Sequence, residues 1–265
     1  MIDYHGRQFF TGNNPPESKT LAGVRYSTRL NRSAIESVLN DASRLPPEKE
    51  FDSSWIYDQE SLSSCNGFAA AKSLERAIVR SGQAEKVKLS AEFVYAGVNG
   101  GVDQGSHLND GAKFLVETGA AKWEPRHRGK YRKRDFRSSD YDTAKNHKAF
   151  EIYGVDTELE LAEGLALGFV AIVAVHAGND FMRLDADKVP GVVKGPGNHA
   201  VLIENCKIDE GRLLFLMANS WGVNWGHEGK AWLSWKHLEQ PANYHWFYLI
   251  RCPDVKTEIP NLQRS

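Results

Sequence analysis

Of three cysteines in 265 residues, Cys65 is placed where a thiol could act as a nucleophile. A thiol attacks as its thiolate, so a catalytic cysteine needs a device that lowers its pKa, such as a helix N-terminus or a paired histidine. Cys65 closes the run Asp58-Gln59-Glu60-Ser61-Leu62-Ser63-Ser64-Cys65 and opens Asn66-Gly67-Phe68-Ala69. Far downstream, Gly197-Asn198-His199-Ala200-Val201-Leu202-Ile203 sets His199 at the mouth of an apolar stretch. Ala218-Asn219-Ser220-Trp221-Gly222-Val223-Asn224-Trp225-Gly226 then follows a second apolar stretch. A cysteine with a histidine and an asparagine elsewhere is a nucleophile arrangement, but weak evidence by itself. Free cysteines are often core residues, and a histidine at a strand end can be a satisfied core group.

The elements that must position these residues follow from periodicity. Ser63 or Ser64 can cap a helix from about Cys65 to Arg80, in which Phe68, Ala71, Leu74, Ala77 and Ile78 recur at helical spacing before Gly82. That puts Cys65 in a first turn, beside unpaired N–H groups that favour a thiolate. Ser33-Ala34-Ile35-Glu36 has the form of a capping box, and Pro46-Pro47 ends the helix behind it. Helical turns are predicted over Ala91 to Gly97 and Leu108 to Thr118. From Thr157-Glu158-Leu159-Glu160, which caps a short helix, the pattern changes. Phe169 to Val175, Ala200 to Ile203, Arg212 to Ala218, Lys230 to Trp235 and Tyr244 to Ile250 read as strands. The chain is therefore helical first and β-rich later, an α+β class. Residues 1 to 32, polar and broken by Gly12-Asn13-Asn14-Pro15-Pro16, read as an arm outside the core and in part disordered.

Taken together, the segments around Gln59 and Cys65, His199, and Asn219-Ser220-Trp221-Gly222 resemble the papain-like cysteine peptidases, family C1. Leu89-Ser90-Ala91-Glu92-Phe93-Val94-Tyr95 and Asp103-Gln104-Gly105-Ser106 are similar to two further segments of that family, the second from its substrate groove. The resemblance covers residues 51 to 251. It implies a helical lobe, about 51–150, an antiparallel β-barrel lobe, about 151–251, and an active cleft between them. Residues 1–50 are then an N-terminal extension, an arm or a short prosegment, and 252–265 a tail. It implies that Cys65 is the nucleophile, that His199 pairs with it and protonates the leaving amine, and that Asn219 orients the imidazole. Trp221 would shield that hydrogen bond, while Gln59 and the Cys65 N–H would bind the oxyanion. Gly105 and Ser106 would lie along the substrate backbone, with His107 and Leu108 near the pocket for the second residue before the scissile bond. No cofactor and no metal are implied. Three departures stand out: Leu62 where the family has a disulfide cysteine, Asn66 where it has tryptophan, and Glu60 where it has glycine.

Composition bounds the rest. With 33 basic and 34 acidic residues the net charge is −1, so no global field points to nucleic acid. The longest apolar runs fall short of the roughly 18 to 20 residues of a spanning helix, so no membrane partner is expected. The basic run Lys122 to Arg137 reads as a solvated loop, Cys206 and Cys252 as core, Trp225, Trp232 and Trp235 as packing, and His176 and His227 as structural. No signal-peptide pattern opens the chain and no disulfide framework is present, which predicts a cytoplasmic or other reducing compartment. The expected partner is a peptide or protein substrate, with an assembly partner through residues 1–50 as a second option. Two rival readings stay open at this point. One is a catalytically silent papain-like component of an assembly such as a virus particle, and the other is acyl transfer to an amine.

Overall fold

The computed structural model describes residues 2–4, 7–9, 11–14, 24–41, 43–44, 47–182, 184, 195–239 and 247–252. Helices α1 (Arg32–Leu39), α2 (Pro47–Glu50), α3 (Cys65–Arg80), α4 (Ala91–Val98), α5 (Leu108–Glu117) and α6 (Ser138–Ala144) fill the first half. Helices α7 (Glu158–Ala166), α8 (Asn179–Met182) and α9 (Trp235–Leu238) belong to the second. Short strands β1 (Ile2–Tyr4), β2 (Arg7–Phe9), β3 (Asn13–Asn14), β4 (Val24–Arg25) and β5 (Ser106–His107) precede the main strands. These are β6 (Glu151–Gly154), β7 (Val170–Val175), β8 (His199–Asp209), β9 (Arg212–Ala218), β10 (Lys230–Ser234) and β11 (Phe247–Arg251).

The principal sheet runs β10-β9-β8-β7-β11-β6-β4. Its first six strands pair antiparallel, while β4 joins the edge in parallel. Both faces are covered, which explains why β7 reads as an unbroken apolar run rather than an alternating one. Val170, Ile172 and Ala174 enter the core shared with α3, α4 and α5. Ala171, Val173 and Val175 enter the opposite core, with α7 and α9. Strand β8 divides in the same way, Ala200 and Leu202 to one side, Val201 and Ile203 to the other.

Helix α3 crosses this sheet and packs on β7, β8 and β11. It begins at Cys65 and ends before Gly82, at φ +70°, a left-handed position that suits glycine. Being buried almost all round, it must satisfy its charges internally. Lys72 donates to Glu75 at 2.8 Å and to the Leu89 carbonyl at 2.7 Å. Arg76 meets Glu204 at 3.3 Å, and Glu204 also pairs with Lys230 at 2.6 Å. The register shift between Ile203 and Asn205 falls at Glu204, so a bulge accompanies the turning of this carboxylate toward α3. These pairs tie the helical half to the sheet.

Two local features differ from the sequence reading. Helix α1 is capped by Asn31, whose Oδ1 accepts from the Ala34 N–H at 2.9 Å, and not by Ser33. Residues 24–39 also pack on the β lobe instead of standing off as an arm. Ile35 is fully buried in the core with α7, and the Tyr26 ring packs edge-on against Tyr153 and Phe169. The Glu163 carboxylate, itself fully buried, accepts from the Arg29 N–H at 3.0 Å, the Leu30 N–H at 3.2 Å and the Tyr26 hydroxyl at 3.1 Å. A two-residue parallel strand has no periodicity of its own, so nothing local announced this anchoring.

Candidate active site

Cys65 enters the site from the N-terminus of α3, and His199 from the first position of β8, opposite Val175 of β7. Asn219 follows the end of β9, where its N–H donates to the Gly229 carbonyl at 2.9 Å. His199 Nε2 lies 2.8 Å from Asn219 Oδ1, an acceptor, so Nε2 carries the proton and Nδ1 is the lone-pair nitrogen of the neutral ring. Nδ1 is buried and has no hydrogen-bond partner among the described residues. The Ala200 N–H, one residue on, reaches the Cys65 sulfur, which brings the start of β8 against α3. Asn219 Oδ1 is held in turn by the Ser220 N–H at 2.8 Å. The Trp221 ring stacks on the imidazole at 4.4 Å and 25°, and at 2% exposure it keeps water from the His199–Asn219 bond.

Gln59 is locked to the same segment. Its N–H donates to the Ser220 carbonyl at 2.8 Å, and the Ser220 hydroxyl donates to its Oε1 at 2.6 Å. With Oε1 so engaged, the amide nitrogen faces the Leu62–Cys65 turn, where it donates to the Leu62 carbonyl at 2.8 Å. An amide nitrogen has two hydrogens, so donation to an oxyanion beside the Cys65 N–H is compatible with that bond. Ser220 is a residue the sequence reading passed over, although it lies within the Asn-Ser-Trp-Gly run.

The predicted groove residues gather on the other wall. Ser106 and His107 form β5, Gly105 precedes them at φ +86°, and Leu108 is buried at the start of α5. Asn66, one of the departures, fastens this wall to α3. Its Nδ2 donates to Ser106 Oγ at 2.9 Å and to the His107 carbonyl at 2.7 Å. A side chain on Gly111 would collide with that carboxamide, so α5 leaves room for it. Asp103 braces the same wall by accepting from the Tyr95 hydroxyl at 2.8 Å and the Ser63 N–H at 2.9 Å. Glu60, another departure, has φ +54°, a conformation that explains why glycine suits its place, and it pairs with Arg128 of the basic loop.

The cleft is occupied by the chain itself. The Gly12 N–H donates to Cys65 Sγ at 3.3 Å, and the Gly12 carbonyl accepts from the Ser106 N–H at 2.7 Å. Asn13 crosses to the β lobe, its N–H to the Asn198 carbonyl at 3.2 Å and its Nδ2 to the Gly197 carbonyl at 2.9 Å. Beneath this cover Cys65 and His199 are fully buried. Burial pushes the thiol up to about 11, against the backbone N–H groups that favour the thiolate. Burial likewise pushes His199 down to about 4, the Asn219 bond opposing it in part. With residues 11–14 in place, both groups are neutral at pH 7.

A cysteine at a helix start on one lobe, beside a strand of the other that opens with a histidine held by an asparagine, defines the class of two-lobed cysteine proteases. Residues 48–240 match the model of the papain family of cysteine proteases, and the chain belongs to that family. A probable cysteine protease from Arabidopsis thaliana, RDL2, is 22% identical over 218 residues, which are 78% of this chain and 58% of that protein. The chain thus spans less than two thirds of that relative. Xylellain, a cysteine protease from Xylella fastidiosa, superposes with a TM-score of 0.69 at 23% identity, covering 95% of this chain and 99% of its own. Procathepsin L2 from the larval midgut of Tenebrio molitor superposes with a TM-score of 0.65 at 19% identity, over 92% and 78% of the two chains.

Proposed function

We propose that the chain hydrolyses peptide bonds through an acyl-enzyme on Cys65. The observation that carries this reading is the His199–Asn219 pair at 2.8 Å, which leaves Nδ1 as the lone-pair nitrogen at the start of β8, where the Ala200 N–H approaches Cys65. In an open cleft His199 Nδ1 takes the thiol proton, and the thiolate attacks the substrate carbonyl carbon. The Cys65 N–H and Gln59 Nε2 hold the resulting oxyanion. Imidazolium gives its proton to the leaving amine as the C–N bond breaks, leaving a thioester. Water then attacks the thioester with His199 as base, and the acid and the free thiol are released. The substrates are peptides or unfolded proteins, bound along Gly105, Ser106, His107 and Leu108. A reducing compartment suits a site built on a thiol, with Cys65, Cys206 and Cys252 all free.

The reading is tested with reduced casein as substrate. The wild-type chain is assayed beside Asn13→Asp, which removes a donor that holds residues 11–14 in the cleft, and each is repeated with Cys65→Ser and His199→Ala. Fragments that appear with time and vanish with either catalytic change are expected. Absence of cleavage by both the wild type and Asn13→Asp would overturn the proposal.

A further inference from the structure

The basic run of the helical lobe takes no part in the chemistry, and its structure sets it apart from an ordinary solvated loop. Between Lys122 and Arg137 lie eight cations and two carboxylates, a net +6 in a chain of net −1. The backbone of the run is pinned at close intervals. His127 is fully buried, with Nδ1 accepting from the Glu124 N–H at 3.3 Å and Nε2 3.3 Å from Asp140 Oδ1. The Tyr131 carbonyl accepts from Asn99 Nδ2 at 2.8 Å, at the end of α4. The buried Phe136 ring meets Phe93 edge-on at 5.4 Å, and the Arg137 N–H donates to Asp140 Oδ2 at 2.7 Å. Between these anchors Arg128, Lys130, Arg132, Lys133 and Arg134 are all exposed. Both carboxylates of the run are engaged locally, Glu124 with Arg126 at 2.7 Å and Asp135 with the Arg132 N–H at 3.1 Å. Lys130, Lys133 and Arg134 have no hydrogen-bond or ion-pair partner among the described residues. A fixed backbone keeps like charges from separating, so the folded loop holds a repulsion that an anion lying across it relieves.

Two observations select the kind of anion. Single-stranded nucleic acid binds by stacking bases on free aromatic faces. The two partly exposed rings of the run each carry a cation already, Trp123 under Lys88 at 3.7 Å and Tyr131 under Arg132 at 4.9 Å. The loop also adjoins the peptide cleft, because Arg128 pairs with Glu60, the residue after Gln59. We propose that Arg128, Lys130, Arg132, Lys133 and Arg134 form a docking surface for an acidic polypeptide segment, through which the protein holds acidic protein substrates outside the groove that takes the scissile bond. The role in substrate capture rests on the reading of Cys65 as a peptidase nucleophile; the docking surface itself does not.

The test measures the anisotropy of fluorescein-labelled octaglutamate with the full-length protein at pH 7. The wild type is compared with a variant carrying Lys130→Glu, Lys133→Glu and Arg134→Glu, whose melting temperature reports its folding. Octaglutamate is expected to bind the wild type, to bind less as salt rises from about 0.05 to about 0.15 M, and to bind the variant at least about tenfold more weakly. Lys133→Gln with Arg134→Gln gives a smaller loss in the same direction and replaces the triple variant if that one melts early. A Gly-Ser peptide of equal length does not bind. No binding of octaglutamate, equal binding by wild type and variants, or tighter binding of octathymidylate at the same salt would overturn the surface. In the Asn13→Asp protein octaglutamate is expected to raise the KM for casein, itself an acidic protein, at constant kcat, and to have no effect once the three glutamates are added. Specific binding with an unchanged KM would overturn the role in substrate capture. Specific binding with no casein cleavage by any form would leave the surface standing and remove the peptidase reading alone.

Discussion

At the scale of single residues, burial changes the ordinary protonation of Cys65 and His199. His199 has a pKa lowered from 6.5 to about 4, and Cys65 one raised from 9.0 to about 11, both chiefly by burial. An unfolded chain therefore takes up a proton on His199 first as pH falls, so the stability tied to neutral His199 is full above 6.5 and is lost on the way to 4. It also loses the Cys65 proton first as pH rises, so that stability is full below 9.0 and is lost on the way to 11. The melting temperature is expected to fall on both sides of this window, and His199→Gln is expected to flatten the acid limb in a pH series of thermal melts. A melt whose acid limb is the same in both proteins would contradict the assigned burial. Gln59 offers a second residue-scale prediction. Gln59→Ala in the Asn13→Asp protein is expected to lower kcat by about 10² to 10³, the usual effect of losing one oxyanion donor. Casein-peptide kinetics would measure it, with KM nearly unchanged.

Among elements, the attachment of β5 to α3 is the feature that the family resemblance did not supply. Asn66 holds Ser106 and His107 through two donated bonds, and Ser106 supplies the N–H that grips a chain in the cleft. Asn66→Ala is expected to raise KM several-fold while kcat moves little, because the groove wall loosens and the His199–Asn219 pair does not. A fall in kcat with constant KM would instead place Asn66 in the chemical step. The second element-scale joint is the ion cluster beneath the site. Glu204 is fully buried between Arg76 and Lys230, so Glu204→Leu leaves two buried cations without their shared anion. A loss of about 3–5 kcal/mol is expected from denaturant unfolding, the range found when one partner of a buried pair is removed. A loss below 1 kcal/mol would mean that the cluster is solvated on relaxation.

Across the whole molecule, the cover over Cys65 depends on contacts that lie on opposite lobes. Gly12–Asn13 bridges Ser106 of the helical lobe and Gly197–Asn198 of the β lobe, while Glu163 secures residues 26–30 behind it. Glu163→Ala removes the shared acceptor of two N–H groups and a hydroxyl. Faster amide exchange is expected at Arg29 and Leu30, together with faster Cys65 alkylation, since a tether released at its root lowers the effective concentration of the occupant. Faster exchange at 29–30 with unchanged Cys65 labelling would show that the cleft contacts hold without the anchor.

Much of the site was legible because its signals are local. The apolar spacing behind Cys65 predicts a helix to Arg80, and α3 has those bounds, although Ser64 at its N-cap position makes no side-chain capping bond. The capping box at Thr157 and the strand Arg212–Ala218 are as expected, since a reciprocal cap and a paired apolar run are written within a few residues. Strand β8 runs to Asp209, beyond the predicted Ile203, because pairing with β9 carries its polar end past the apolar stretch. Trp235 opens α9 instead of ending a strand, and Tyr244 lies outside the described residues. The sequence by itself determined the helix that opens with Cys65, the strand that carries His199, and the chemistry those residue types can do. Tertiary structure alone decided that Gly12 and Asn13 lie over Cys65, that Asn66 holds the groove wall, and that Glu163 anchors the returning chain. Those contacts join residues 40 to 184 positions apart, and a fit between distant backbones leaves no periodicity or cap in the sequence.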